Sequence, residues 1–399
     1  MEPTAADARA APDRPGAEPR LAEVAREWGR IGAVGFGGPP AHIALLRDLC
    51  VVRRRWLEPR AFEDAIAATN LLPGPASSQL AIYCAWRLRG PAGAIVGGLC
   101  FILPGLVLII ALAALFLAGS PPDWLRGAGA GAGAAVAAVA VDAGARLTGP
   151  AWRRSRGAYR ARLVAYTALG AAAAAMLGPW LVLVLLACGL AEVAVRRAIP
   201  PVGVYLSLTP ATLLLAAGTA IGGLGALTWT AFKVGALSYG GGFVIIPLMQ
   251  SDAVDRYGWM TDGEFLNAVA LGQVTPGPVV HTVAVVGFAA AGVGGALLAS
   301  LVAFGPSFSF ILLGADRFDG LLANRSMRAF LDGAGPAAIG AILGSAIPLA
   351  LALSEPWQAA VLAGAALSLL VLRRGVVTTL LAAGAVGAFA ALAGAPLPL

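Results

Sequence analysis

The chain has 399 residues, of which 59% are hydrophobic and only 12% charged, with a formal net charge of +7. A soluble domain has about 45–50% apolar and about 25% charged residues, so the composition excludes an ordinary soluble enzyme, a disordered chain and a nucleic-acid binder. Arginine spread between long apolar runs is the pattern of membrane loops, and the length admits roughly ten helical crossings of about 20 residues each.

Residues 1–20 are polar, low in complexity and without an apolar core of the signal-peptide kind, and are expected to form a disordered cytoplasmic tail. Segment 22–50 is broken at Gly37-Gly38-Pro39, and segment 61–89 at Pro73-Gly74-Pro75. Strong spanning candidates follow at 92–118, 125–146, 161–177, 179–195 and 208–226. Two more broken segments come next, 227–250 at Gly240-Gly241-Gly242 and 264–290 at Pro276-Gly277-Pro278. The chain ends with candidates at 293–314, 329–353, 357–372 and 376–394. The expected fold is an all-α polytopic membrane protein with about nine or more spanning helices. Cys50, Cys84, Cys100 and Cys188 stand singly in or beside apolar stretches and read as packing residues.

Residues 30–85 align on 233–288 without a gap. Trp56 falls on Trp259, Phe62 on Phe265, Gly37-Gly38 on Gly240-Gly241, and Pro73-Gly74-Pro75 on Pro276-Gly277-Pro278. This is a tandem duplication, with a first repeat over 21–199 and a second over 200–399. Loop charge bears on orientation. Loop 47–60 carries Arg47, Arg53, Arg54, Arg55 and Arg60 against Asp48 and Glu58, whereas its copy 250–263 carries Arg256 against Asp252, Asp255 and Asp262. Basic loops stay in the cytoplasm, so the two copies are expected to lie on opposite sides, as inverted-topology repeats. The broken segments have halves of about 10–15 residues, too short to span alone, and read as re-entrant helical hairpins. Four kinked spanning helices are the alternative.

A helix that begins after each Pro-Gly-Pro presents unpaired N–H groups and a positive dipole end, a ready anion site. The first break supplies Gly74, Pro75, Ser77, Ser78 and Gln79. The second supplies Gln273, Thr275, Gly277, Pro278, His281 and Thr282. Gly37, Gly38, Gly240 and Gly241 are added from the other pair of breaks. The plainer reading is that Pro-Gly-Pro only interrupts a helix. Arg30 and Lys233, the chain's sole lysine, are repeat-matched and lie seven residues before a Gly-Gly break. A basic residue at membrane depth is costly and points to function, so the two are expected to form a pair of cations around one dianion. Snorkelling to the interface is the alternative.

Other groups carry less. Asp142 with Arg146 and Glu192 with Arg196 have helical i,i+4 spacing and read as structural pairs. Asp332 stands alone in its segment as a candidate proton relay. His42 and His281 are not at equivalent positions and are candidate pH-sensitive ligands. Lys233 is followed by Val234, so no Walker phosphate loop exists. No cluster resembles a metal site, and no metal or cofactor is expected. An intramembrane enzyme would need a nucleophile with its base or an acid-rich diphosphate motif, and neither is present.

Gly35-Phe36-Gly37-Gly38-Pro39, Arg53-Arg54-Arg55-Trp56 and Leu71 to Gln79 together resemble the chromate transporter family, two-domain long-chain type. So do Ser238-Tyr239-Gly240-Gly241-Gly242, Gly258-Trp259-Met260-Thr261 and Gly272 to Pro278 in the second half. The resemblance covers roughly residues 22–390. It implies a multi-pass carrier of the bacterial or archaeal inner membrane, with a cytoplasmic N-terminus, that exports chromate or the related oxyanion sulfate. The expected partners are that oxyanion and the lipid bilayer, with a homodimer left open and no nucleic acid. An outward-moving dianion gains about 4.6 kcal/mol from an inside-negative potential of about 100 mV, so export needs no ATP. Uptake would need co-transported protons or cations, and no convincing buried carboxylate relay is visible. Proton-coupled or exchange-type oxyanion transport is the alternative, followed by an intramembrane enzyme.

Overall fold

The computed structural model describes residues 18–70, 72, 74–117, 121–177, 180–197, 223–238, 244–315 and 324–398. Every regular element among them is helical. The tail up to residue 17, most of the candidate span at 208–226 and the Gly240-Gly241-Gly242 break lie outside the described residues.

The first repeat opens with α1 (Leu21–Val34) and α2 (Pro39–Arg47). Between them Gly37 and Gly38 have φ of 99° and 70°, a region that glycine enters without strain. Pro39 and Pro40 then start α2, where a missing N–H costs nothing. α2 widens into a π-helical turn at Asp48–Arg53, and α3 (Pro59–Thr69) leads to the Pro-Gly-Pro break. α4 (Ala76–Phe116) is a hairpin rather than one rod, because Arg89 (φ −141°, ψ 22°) and Gly90 (φ 58°, ψ −151°) reverse the chain. Its arms are so close that a Cβ on Gly93 would strike the carbonyl of Ala85. At 1.5 Å rise per residue the first arm, 76–88, is about 20 Å long and the second, 91–116, about 39 Å. Only the second exceeds the hydrocarbon thickness of about 30 Å.

The second repeat reproduces this backbone with α9 (Leu224–Leu237), α10 (Ile245–Gln250), a π-helical turn at Ser251–Arg256 and α11 (Asp262–Val274). α12 (Thr282–Gly314) is again a hairpin, reversed at Ala291 (φ −154°, ψ 33°) and Gly292 (φ 61°, ψ −153°). The remaining helices of the first repeat are α5 (Asp123–Ala134), α6 (Val136–Arg154), α7 (Ala158–Met176) and α8 (Leu181–Arg197). Those of the second are α13 (Arg325–Leu351), α14 (Pro356–Ala366) and α15 (Val376–Leu392). Among the described residues each spanning candidate falls on one of these helices or on a long hairpin arm, except 125–146, which runs from α5 across Ala135 into α6. Among the described residues, four stretches are long and apolar enough to cross a membrane: Ala76–Phe116, Asp123–Arg154, Val279–Gly314 and Arg325–Leu351.

Small residues set the packing. Gly32 of α1 lies against the backbone of Phe101 on the long arm of α4, and its copy Gly235 lies against Ala303 on the long arm of α12. Gly340 and Gly333 of α13 meet the carbonyls of Thr167 on α7 and Cys188 on α8. Gly127 of α5 and Gly387 of α15 face one another. Close backbone approach of this kind lets helices associate in lipid, where no hydrophobic force drives them together. The partners α13 with α7 and α8, and α5 with α15, come from opposite repeats, so the two halves interlock. Large apolar side chains remain exposed along the outside, among them Val107, Leu301 and Phe389, as a lipid-facing surface requires.

Candidate functional site

Each Pro-Gly-Pro break crosses onto the opposite repeat. The Gly277 N–H donates to the Gly35 carbonyl at 2.9 Å, which joins the second repeat's Pro-Gly-Pro to the first repeat's Gly-Gly turn. Gly74 faces the Gly235 carbonyl and the Ser307 hydroxyl, each 3.3 Å from where a Cβ would stand, and Gly277 faces the carbonyl of Gly32. Gly32 and Gly235 are themselves repeat equivalents. Each break is therefore packed on the opposite repeat's first helix, an exchange of partners that a two-fold relation produces.

The side chains around the crossing are polar and buried. Ser77, Ser78, Gln79, Gln273, Thr275, His281 and Thr282 all lie inside the protein. Among the described residues, the Ser78 and Thr275 hydroxyls and the Gln273 amide nitrogen have no hydrogen-bond partner. The His281 ring approaches the Ile102 carbonyl, but neither ring nitrogen completes a hydrogen bond. Thr282 is occupied, because its hydroxyl donates to the Val279 carbonyl at 2.8 Å. His42 Nε2 meets the Gly35 carbonyl at 2.9 Å and leaves Nδ1 without a partner. Ser238 and Ser307 add two more unpartnered hydroxyls that sequence reasoning missed. An unmet buried polar atom costs about 1–3 kcal/mol, so such a concentration marks a place where a ligand or water completes the structure.

The helix starts differ between the breaks. Pro75 caps α4, whose first intrahelical bond runs from the Gln79 N–H to the Pro75 carbonyl at 3.0 Å. The N–H groups of Ala76, Ser77 and Ser78 precede that bond, as the orphan donors of a helix start do. After Pro278 the chain makes a single tight turn, Val279–His281, and α12 proper begins only at Thr282.

The two repeat-matched cations are placed unequally. Lys233 is 4% exposed and forms an ion pair with Asp252, whose Oδ2 also accepts from the Thr230 hydroxyl at 2.9 Å. Asp252 Oδ1 has no partner among the described residues. Arg30 is exposed on α1. Its neighbour Glu27 instead joins Glu23 around Arg54, at 3.1 and 3.4 Å. The structure therefore does not bring Arg30 and Lys233 together as two free cations. Asp252 occupies the position of Leu49 and neutralises the lysine; sequence reasoning had counted it only as a loop charge.

A cavity of about 630 Å³ opens beside the first break. Asn70, Gly74 and Ala76 line it together with Arg154, Tyr159, Arg196, Arg328 and Asp332. Arg196 bridges Glu192 at 2.9 Å and Asp332 at 2.8 Å. Glu192 also receives Arg162 at 2.8 and 3.1 Å and the Tyr166 hydroxyl at 3.1 Å. The expected Asp142–Arg146 pair forms at 2.7 Å, while Asp332, which stands alone in its sequence segment, is paired in space. Arg154 and Arg328 form no ion pair among the described residues. Arg154, Arg196 and Arg328 come from the ends of three separate helices, α6, α8 and α13, and only folding brings them to one cavity.

Half-length broken helices, each crossing onto the other member of an interlocked pair of repeats, with unmet polar atoms and a basic cavity beside them, define a membrane transporter. The chromate transporter family model matches residues 22–193 and 225–388, one copy in each half. The chain is 30% identical to a chromate transport protein of Pseudomonas aeruginosa, over 82% of this chain and 80% of that one. It is 31% identical to one of Cupriavidus metallidurans, over 80% of each. A probable chromate transport protein of Synechococcus elongatus is 28% identical over 82% of this chain and 84% of its own. No solved structure matches. The chain belongs to the chromate transporter family and is an integral membrane protein.

Proposed function

We propose that this transporter exports chromate, or a related tetrahedral oxyanion such as sulfate, across the bacterial or archaeal inner membrane. The observation that carries the reading is the basic cavity that ends at the start of α4. Arg154, Arg196 and Arg328 attract a dianion, and the orphan N–H groups after Pro75 and the buried hydroxyls beyond them offer donors in place of water. Basic residues at helix ends, such as the arginines of that cavity, are of the kind retained on the cytoplasmic side, which supports a cytoplasmic opening and a cytoplasmic N-terminus. Alternating access then comes from the repeats at 21–199 and 200–399 rocking about the crossing of their breaks. An inside-negative potential favours outward movement of the dianion by about 4.6 kcal/mol at about 100 mV.

Proton-coupled transport gains one observation of its own. Asp252 is a buried carboxylate with a free oxygen beside a buried lysine, a relay that sequence inspection did not reveal. Flux of labelled chromate and sulfate into inverted vesicles separates the two readings. Potential-driven export predicts that an inside-positive vesicle potential speeds uptake without nucleotide and that a pH gradient alone does not. Uptake driven by the pH gradient and indifferent to potential would transfer the function to the proton-coupled carrier.

A further inference from the structure

We propose that the cavity between α6, α7, α8 and α13 is a docking site for a hydrated inorganic dianion, and that Asp332 occupies Arg196 as the protein's own competitor for that anion. The proposal rests on the oxyanion-transport reading and assigns the first binding step to residues outside the Pro-Gly-Pro breaks.

The two carboxylates on Arg196 differ in kind. Glu192 has a fully buried side chain and is held by Arg162 through both oxygens, by Tyr166 and by Arg196 Nε. Losing any of these bonds would leave a charge uncompensated inside the protein. Asp332 has a side chain 45% exposed, and its one ion pair among the described residues is with Arg196 Nη2. An exposed ion pair contributes little stability, so exchange of Asp332 for an incoming dianion on the same guanidinium is easily reversed. Tyr159 donates to the Asp332 main-chain carbonyl at 2.8 Å, which anchors this turn of α13 while the carboxylate stays free to swing away.

Two further arginines complete the site. Arg154 at the end of α6 and Arg328 in the first turn of α13 line the cavity without a carboxylate of their own among the described residues. Three guanidiniums against one carboxylate raise the local anion concentration, and planar forks suit tetrahedral oxyanions. Asn70 lines the same cavity and offers an amide, and Ala76 begins the helix whose dipole points into it. A volume of about 630 Å³ exceeds by far the share of about 30 Å³ that one water takes in the liquid, so the anion arrives with much of its hydration shell. Selection between tetrahedral dianions therefore falls to the tighter crossing beyond, and chromate and sulfate compete on nearly equal terms here.

Equilibrium binding of labelled chromate and sulfate to the purified full-length protein in nanodiscs tests this, at low and high chloride. Arg154→Gln with Arg328→Gln should weaken binding of both anions roughly tenfold or more and flatten the salt dependence. Asp332→Asn should strengthen binding about three- to tenfold, a gain that a damaged fold does not produce. Arg374→Gln, in the loop between α14 and α15, should bind as the natural protein does. Asp332→Asn binding no tighter, or the double variant binding as well as Arg374→Gln, would overturn the docking site. If those variants behave as wild type while vesicle flux persists, the docking proposal alone fails. If the natural protein neither binds nor moves either oxyanion, the transport reading fails with it.

Discussion

Arg30 and Lys233 occupy one register on two copies of the same helix, yet their surroundings are opposite. Around Lys233 the second repeat places Thr230 and Asp252, so a cation on the first helix meets an acid on the π-helical turn. Around Arg30 the first repeat reverses the polarity: the equivalents are Glu27 and Leu49, and the acid on the first helix meets Arg54 just past the turn. Both repeats thus bind their first helix to the same turn by a charge pair, and each uses a different residue for each sign. Duplication has preserved the backbone, including both π-helical turns, both hairpins and the glycine contacts, while the charges have diverged. Symmetry of the chain path is therefore a poor guide to symmetry of the chemistry, and a ligand site read from one copy does not transfer to the other.

The sharpest challenge to that comparison concerns sidedness. Arg53 and Arg256 are equivalent and both exposed. With single cysteines at these two positions in a background without native cysteines, an impermeant thiol reagent on intact cells should label position 256 and spare position 53. Equal labelling would show that the copies share one face, and the inverted relation would be lost.

The next largest effect is steric and should be equal in both copies. Gly32→Val and Gly235→Val each force a side chain into a main-chain carbonyl, of Phe101 and of Ala303. Backbone has nowhere to retreat in a packed interior, and costs above about 4 kcal/mol are expected. Both variants should fail to give monodisperse protein after extraction. If only one fails, the glycine contacts are not the shared framework they resemble.

The smallest effect is the most discriminating for charge. Lys233→Gln leaves Asp252 buried and uncompensated, which costs about 3–5 kcal/mol, whereas Lys233→Leu with Asp252→Leu together should recover most of that stability. Arg30→Gln should leave the melting temperature unchanged, since Arg30 is exposed and forms no ion pair among the described residues. Similar melting losses for Lys233→Gln and Arg30→Gln would mean that the two cations are equivalent after all.

Most of the architecture was determined by sequence alone, because its signals are local or periodic. Apolar runs of helix length, glycines at positive φ and prolines at helix starts mark where segments stop and resume, and an ungapped duplication declares the repeat. Asp142–Arg146 and Glu192–Arg196 were legible for the same reason, since four residues along a helix is a fixed spatial relation. The hairpin turns at Arg89–Gly90 and Ala291–Gly292 were legible only as the edges of apolar runs. What tertiary structure decided is every relation between distant segments. Asp252 reaches Lys233 because the π-helical turn folds back on α9, and no periodicity connects positions so placed. Arg154, Arg196 and Arg328 converge because α13 of one repeat packs on α7 and α8 of the other, through glycines whose partners are main-chain carbonyls and leave no mark in the sequence. Charge in a membrane protein is decided by which surfaces are desolvated together, and that depends on how the helices pack.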